Sequence, residues 1–185
     1  MRRDIVWERL DRPGLEHLTL EVGTDAIRVE SLVLLQLDSG LVRLRYRLQA
    51  DGNWRTRAAS FRLDQGDAHR SLELARDGEG WRVDGQPRAD LAGCQDIDIA
   101  ATPLTNTMPV RQLDLAPGEA RTFHVLYVRI PELTATAMDQ DYTRLDPATP
   151  PRRIRYASPG FTAEVAFDAD GIVEDYPPGW KRRTL

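Results

Sequence analysis

The sequence is poor in the residues that cross-link chains or anchor them in membranes. Cys94 is the single cysteine, so no intrachain disulfide can form. No apolar run is long enough for a membrane-spanning helix. The stretch after Met1, Arg2 and Arg3 is soon interrupted by Glu8 and further charged residues, unlike the apolar region of a signal peptide. These absences predict a soluble protein of the cytoplasm.

Common catalytic motifs are missing as well. The sequence has no Gly-x-Ser-x-Gly elbow, no phosphate-binding glycine loop and no His-Glu-x-x-His helix. Its three histidines are widely spaced, and we expect His124, which lies in an apolar strand, to be a packed structural residue. No flanking cation activates Cys94, so we expect a small buried thiol. The sequence therefore predicts a protein that is not an enzyme and indicates no cofactor or metal.

The charge balance argues against nucleic acid as a partner. The chain has 25 basic and 29 acidic residues, a net charge of −4. One basic stripe stands out on a predicted hairpin, and it could grip a phosphate or sulfate or be an ordinary solvated face. The stripe comprises Arg43, Arg45, Arg47, Arg55 and Arg57.

Apolar and polar residues alternate along much of the chain, which is typical of β-strands. In 41–49, Val42, Leu44, Tyr46 and Leu48 share one face, and the arginines share the other. A turn at Gly52 then leads into a returning strand at 54–63, and similar hairpins are predicted around 77–80 and 168–171.

Two predicted strands, 27–37 and 121–130, are apolar on both faces and should be covered on both sides. One such strand in each half suggests that each half wraps a sheet around an interior, as a roll or barrel does. We therefore predict an all-β fold of two tandem curved antiparallel sheets, β-rolls or half-barrels, with few short helical turns.

The two halves share a weak repeat. Gly40 to Gly52 and Gly160 to Gly171 both run from a glycine through a strand to Ala-Asp-Gly, and a tryptophan follows each. Residues 1–185 would then form one compact unit made by duplication of roughly 1–95 and 96–185. Alternatively, hairpins simply resemble one another.

The best catalytic candidates are Asp96 and Asp98, which alternate with Ile97 and Ile99. Residues two apart on a strand are separated by about 6.6 Å, near the carboxylate spacing of glycoside hydrolases. The pair could also begin a divalent-cation site. A strand with one wet and one buried face gives the same pattern, with both carboxylates exposed.

Three polar segments could bind a ligand. Segment 102–110 carries Thr102, Asn106 and Thr107, whose hydroxyl and amide groups suit a sugar or polar head group, although Asn106 or Thr107 could instead cap a short helical turn. The strand 134–145 has one mixed face that includes Gln140 and Tyr142; it could line a cavity or lie at a sheet edge. The stretch 176–181 could stack on a sugar ring or cover one end of a barrel.

The central motif resembles that of a known family. The runs Gly80-Trp81-Arg82-Val83-Asp84-Gly85, Leu91 to Ile99 and Thr102 to Arg111 are similar to the core of the bacterial putative glycolipid-binding family. Further matches are Pro131-Glu132-Leu133, Gln140-Asp141-Tyr142, Asp170 to Val173 and Tyr176-Pro177, and the resemblance covers essentially the whole chain.

The resemblance implies a tandem pair of β-rolls, similar in shape to bacterial lipoprotein carriers, that binds a lipid-like or glycolipid ligand in a groove. By motif position it implies seven site residues. They are Asp96, Asp98, Thr102, Asn106, Thr107, Gln140 and Tyr142. The alternatives from the residues themselves are a carbohydrate-active hydrolase using Asp96 and Asp98, and a protein-interaction module that uses exposed sheet edges.

Overall fold

A computed structural model shows one large curled β-sheet of fifteen strands, and residues 1–78, 80–113, 115–145 and 152–184 are described by it. The all-β prediction is confirmed, with one six-residue helix, α1 (Thr107–Gln112), among the described residues. The strands are β1 Arg2–Arg9, β2 Gly14–Val22, β3 Ala26–Leu37, β4 Gly40–Asp51, β5 Thr56–Gln65, β6 Ala68–Asp77, β7 Gly80–Val83, β8 Gln86–Arg88, β9 Asp96–Ile99, β10 Ala120–Arg129, β11 Thr134–Arg144, β12 Arg152–Ser158, β13 Phe161–Phe167, β14 Val173–Tyr176 and β15 Trp180–Arg183.

The strand order explains how two curved halves become one sheet. Strands β1 to β8 form an antiparallel meander, β10 to β15 form a second, and β9 joins the edge parallel to β10. The first and last strands pair antiparallel, with Arg9 opposite Trp180. The duplication of 1–95 and 96–185, and the description of each half as a β-roll, stay predictions.

Strand β4 shows why the alternating sequence folds this way. Val42, Leu44, Tyr46 and Leu48 are buried on the inner face, whereas the intervening arginines are exposed. Period-two alternation places successive side chains on opposite faces, so one face of the strand supplies the core. This face assignment is confirmed.

The arginine stripe is a solvated face, in which four of the five arginines have carboxylate partners. The pairs are Arg43 and Arg45 with Asp64, Arg47 with Glu30, and Arg57 with Asp51. The predicted turn at 77–80 includes residue 79, which lies outside the described residues.

The two strands predicted to be covered on both sides differ. In β10, Val125 on one face and Leu126 on the other are both buried, as expected. In β3, Leu34 is 37% exposed, so the prediction is wrong for that strand. The reason is that Leu34 lies on the outer face, where it pairs with Arg43 of β4.

Cys94 and His124 were both predicted to be packed in the interior, and only Cys94 is. Cys94 is buried as expected, and desolvation raises the pKa of its thiol to about 11. His124 was expected to be packed, which is wrong: its ring is half-exposed, and Nδ1 lies 2.5 Å from Asp139 Oδ1 across the β10–β11 pair. The strand is apolar on both sides of His124, but the cross-strand partner is polar and exposed.

No helix in the described parts of the chain is long and apolar enough to cross a membrane.

Candidate functional site

A cavity of about 460 Å³ lies where strands of the second half of the sheet meet the end of β1 and the turn after it. Its lining is mixed: five aromatic side chains, four charged ones, and several hydroxyl, amide and apolar groups. The aromatic residues are Tyr127, Tyr156, Phe161, Tyr176 and Trp180, and the charged ones are Arg9, Asp11, Asp98 and Arg129. Thr102, Asn106, Met138 and Ser158 also line it.

Sheet register brings these distant residues to one face. Asp98 of β9 lies opposite Tyr127 of β10, Ser158 of β12 opposite Phe161 of β13, and Trp180 of β15 between Tyr176 of β14 and Arg9 of β1. Because residues paired across neighbouring strands point to the same side, each pair extends the lining by one strand.

Asp98 is the charged residue at the polar floor of the cavity, which we define as Asp98, Thr102 and Asn106. Its carboxylate accepts a hydrogen bond from Thr105 Oγ1 at 2.6 Å and another from Gln140 Nε2 at 2.7 Å. Burial raises the pKa of Asp98, since desolvation disfavours the charged form more than Thr105, Gln140 and the backbone N–H of Ile99 stabilise it.

Asp96 does not share this cavity. It is fully buried, accepts hydrogen bonds from Thr56 Oγ1 and from Gln112 Nε2 at 2.7 Å, and ties β5 and α1 to β9. The alternative of a strand with one wet face and both carboxylates exposed is wrong, because β9 is buried on both faces. The hydrolase interpretation required both carboxylates in one cleft, and only Asp98 lines the cavity.

No group of three or more His, Cys, Asp or Glu side chains in the described ranges is arranged to hold a metal ion.

Segment 102–110 contributes two of its three predicted residues to the lining. Thr102 and Asn106 line the cavity, whereas Thr107 is fully buried away from it, and its Oγ1 has no partner within the described structure. Asn106 stands at the N-cap position of α1 but makes no capping hydrogen bond, so the side-chain cap prediction is wrong. A 3-10 turn, Leu104–Asn106, runs directly into α1 and gives Asn106 a helical backbone.

Gln140 and Tyr142 stand behind the floor. Both are buried, and the Tyr142 hydroxyl donates to Gln140 Oε1 at 3.0 Å while Gln140 donates to Asp98. This relay fixes the amide of Gln140 with its nitrogen toward Asp98. Of the mixed face predicted for 134–145, Met138 lines the cavity itself.

Three rings form an aromatic wall, which we define as Tyr156, Phe161 and Tyr176. Their centroids are 6.0 to 6.1 Å apart with tilted or edge-on planes. Two further rings each have a guanidinium group close to them. Arg9 Cζ lies 5.3 Å from the centroid of the Trp180 ring, and Arg129 Cζ lies 5.7 Å from that of Tyr127.

Sequence reasoning identified the 176–181 stretch but missed Arg9, Tyr127, Arg129, Tyr156 and Phe161. Each lies in a strand whose alternation of apolar and polar residues can be seen in the sequence, so the face on which its side chain lies could be predicted. What the sequence does not show is which strands are neighbours.

A buried carboxyl that sequence reasoning also missed lies behind Thr102. Glu16 is fully buried on the inner face of β2, and its Oε1 accepts hydrogen bonds from Ser31 Oγ and the Tyr46 hydroxyl, each at 2.7 Å. The Tyr46 oxygen also lies 3.3 Å from Thr102 Oγ1. Burial raises the pKa of Glu16 to about 7. The signal available in the sequence was an acidic residue at a position of β2 whose side chain points to the inner face.

Comparison with known proteins gives a family and one structural relative. Residues 4–182 match the family described as "Putative glycolipid-binding". The chain is similar to the crystal structure of a DUF1089 family protein from Pseudomonas aeruginosa, with 35% identity, a TM-score of 0.80, and coverage of 91% of this chain and 92% of that one. No curated protein matches the chain. The family match spans nearly the whole chain, and the chain therefore belongs to the putative glycolipid-binding family.

Proposed function

We propose that the protein binds an amphipathic small molecule, a lipid or glycolipid, in the cavity and that it acts as a binding protein rather than an enzyme. The observation that carries the proposal is the joining of an aromatic wall to a hydrogen-bonding floor in one cavity of about 460 Å³. Ligand sites of about 300–1,000 Å³ commonly combine mostly apolar walls with a few fixed polar groups.

The polar floor suits the head group of such a ligand. Each Asp98 oxygen accepts one side-chain hydrogen bond from the protein, so acceptor capacity remains for a ligand hydroxyl. Thr102 and Asn106 add a hydroxyl and an amide, which both donate and accept. Gln140 and Tyr142 hold Asp98 in place without lining the cavity, so we propose that they act by positioning it.

The aromatic wall suits the apolar part of the ligand or one face of a sugar ring. Tyr156, Phe161 and Tyr176 contribute ring surface to the lining, and Met138 adds a flexible thioether. Phe161 is 40% exposed, so burying it under a ligand would remove apolar surface from water.

The test is isothermal titration calorimetry with dodecyl maltoside below its critical micelle concentration. We expect saturable binding to the natural protein and at least about a tenfold weaker dissociation constant for Ser158→Trp, equal to about 1.4 kcal/mol. Ser158 lines the cavity and is half-buried, so a tryptophan there takes up cavity volume without entering the core.

The matched control is Ser71→Trp, which adds the same side chain at an exposed position of β6. It should leave the dissociation constant unchanged. Equal binding by the two variants would place the ligand elsewhere, and an absence of saturable binding by the natural protein would contradict the proposal.

A further inference from the structure

The charges that line the cavity are unevenly compensated. Arg9 and Asp11 neutralise each other through two hydrogen bonds, of 2.6 and 3.1 Å, and Arg12 adds a second cation beside Asp11 at 3.5 Å. Asp98 has only neutral donors. Of the two arginines that line the cavity, Arg9 therefore has its charge neutralised, and the partner of Arg129 remains to be identified.

Arg129 has no carboxylate partner among the residues that the structure describes. It is exposed at the end of β10, and its one described side-chain contact is the Tyr127 ring at 5.7 Å. Glu132, in the turn that follows, is exposed and forms no ion pair with it. The guanidinium thus keeps all its N–H donors for another acceptor, while stacking limits its conformations.

The strand register separates this cation from the polar floor. Asp98 lies opposite Tyr127, and Arg129 is two residues further along β10, toward the strand end. Two residues of a strand span about 6.6 Å. Arg129 is exposed whereas Asp98 is buried, so the cation stands at the mouth of the cavity, nearer solvent than the carboxyl. The inner end of a bound head group would contact the polar floor, and its outer end would contact the guanidinium of Arg129.

We infer that the ligand carries an anionic group, a carboxylate, phosphate or sulfate, which Arg129 binds at the mouth of the cavity. This inference rests on the proposed function and narrows it to an anionic amphiphile. A guanidinium offers a planar fork that matches two oxygens of such a group. Arg9 does not serve this role, because Asp11 already occupies its fork.

The experiment compares probes that share a dodecyl chain: dodecyl phosphate, dodecyl phosphocholine and dodecyl maltoside, each below its critical micelle concentration. For the natural protein we expect dodecyl phosphate to bind at least about tenfold more tightly than dodecyl maltoside, with the preference shrinking as salt rises. Trp180 lines the cavity and provides a fluorescence reading of occupancy beside calorimetry.

Arg129→Gln should abolish the preference for dodecyl phosphate over dodecyl maltoside, because a glutamine keeps a polar side chain without the charge. Arg155→Gln is the control, an exposed arginine on the other face of β12 that pairs with Glu164. Retained phosphate preference in Arg129→Gln, or equal affinity of the natural protein for all three probes, would overturn the inference and leave the proposed function standing. Absence of binding by every probe would instead remove the proposed function.

Discussion

Replacing Glu16 with glutamine should make the protein more stable above neutral pH. The Glu16 carboxyl is fully buried, its Oε2 has no hydrogen-bond partner in the described structure, and its three polar neighbours are hydroxyls. Burial raises its pKa from 4.5 to about 7. The protein must therefore hold a charge without a counter-ion once Glu16 ionises in the folded state.

The direction in which stability changes with pH follows from proton linkage. Between pH 4.5 and 7 the folded state keeps a proton that the unfolded state has lost, so the free energy of unfolding falls as pH rises. The contribution of Glu16 to the free energy of unfolding is fully present below pH 4.5 and is lost as pH rises through 7. At about 1.4 kcal/mol for each pH unit between the two values, the loss is about 3 kcal/mol.

Glu16→Gln cannot ionise, and its amide oxygen can still accept from Ser31 and Tyr46. Urea unfolding at pH 5 and pH 8 should show the variant gaining about 2 to 3 kcal/mol on the natural protein over that interval. Glu21→Gln is the control, because Glu21 lies on the same strand with its side chain 47% exposed. A stability difference between Glu16→Gln and the natural protein that does not change with pH would refute this reasoning.

Three further outcomes are expected. Trp7→Phe removes the hydrogen bond from Trp7 Nε1 to the Val173 carbonyl, 3.0 Å long and buried, and should lower the free energy of unfolding by about 1–3 kcal/mol in urea; an unchanged value would show that the bond contributes nothing. Gln140→Leu removes a donor to the Asp98 carboxylate, so carboxyl carbon NMR should show the pKa of Asp98 rising further, and a lower pKa would contradict the floor geometry. Cys94 should react slowly with a thiol reagent at pH 8 until urea unfolds the protein, whereas rapid native reaction would mean that the thiol is accessible.

The fold class could be predicted because its signals are local. Alternation in β4 and the glycine turn at Gly52 act within one hairpin, and the structure places both as the sequence indicates. Strand β15 was missed because Trp180 to Arg183 is short and lacks alternation of apolar residues. Its strand character comes from pairing with β1, at the other end of the chain.

The candidate site was only partly readable for the same reason. Asp96 and Asp98 have identical local patterns, yet one ties β5 and α1 to β9 and the other lines the cavity. The difference depends on Thr56 and Gln112, which reach Asp96 from elsewhere in the chain. Tyr127 and Tyr156 likewise become cavity residues only through the order of strands in the sheet.

Native mass spectrometry of the freshly purified protein, with solvent extraction and lipid analysis of the same sample, tests the central claim most directly. We predict a discrete added mass that extracts as one class of amphipathic molecule, is absent from Ser158→Trp and remains in Ser71→Trp. A bare protein mass together with no saturable binding of added amphiphiles, or an adduct retained equally by both tryptophan variants, would contradict ligand binding in this cavity.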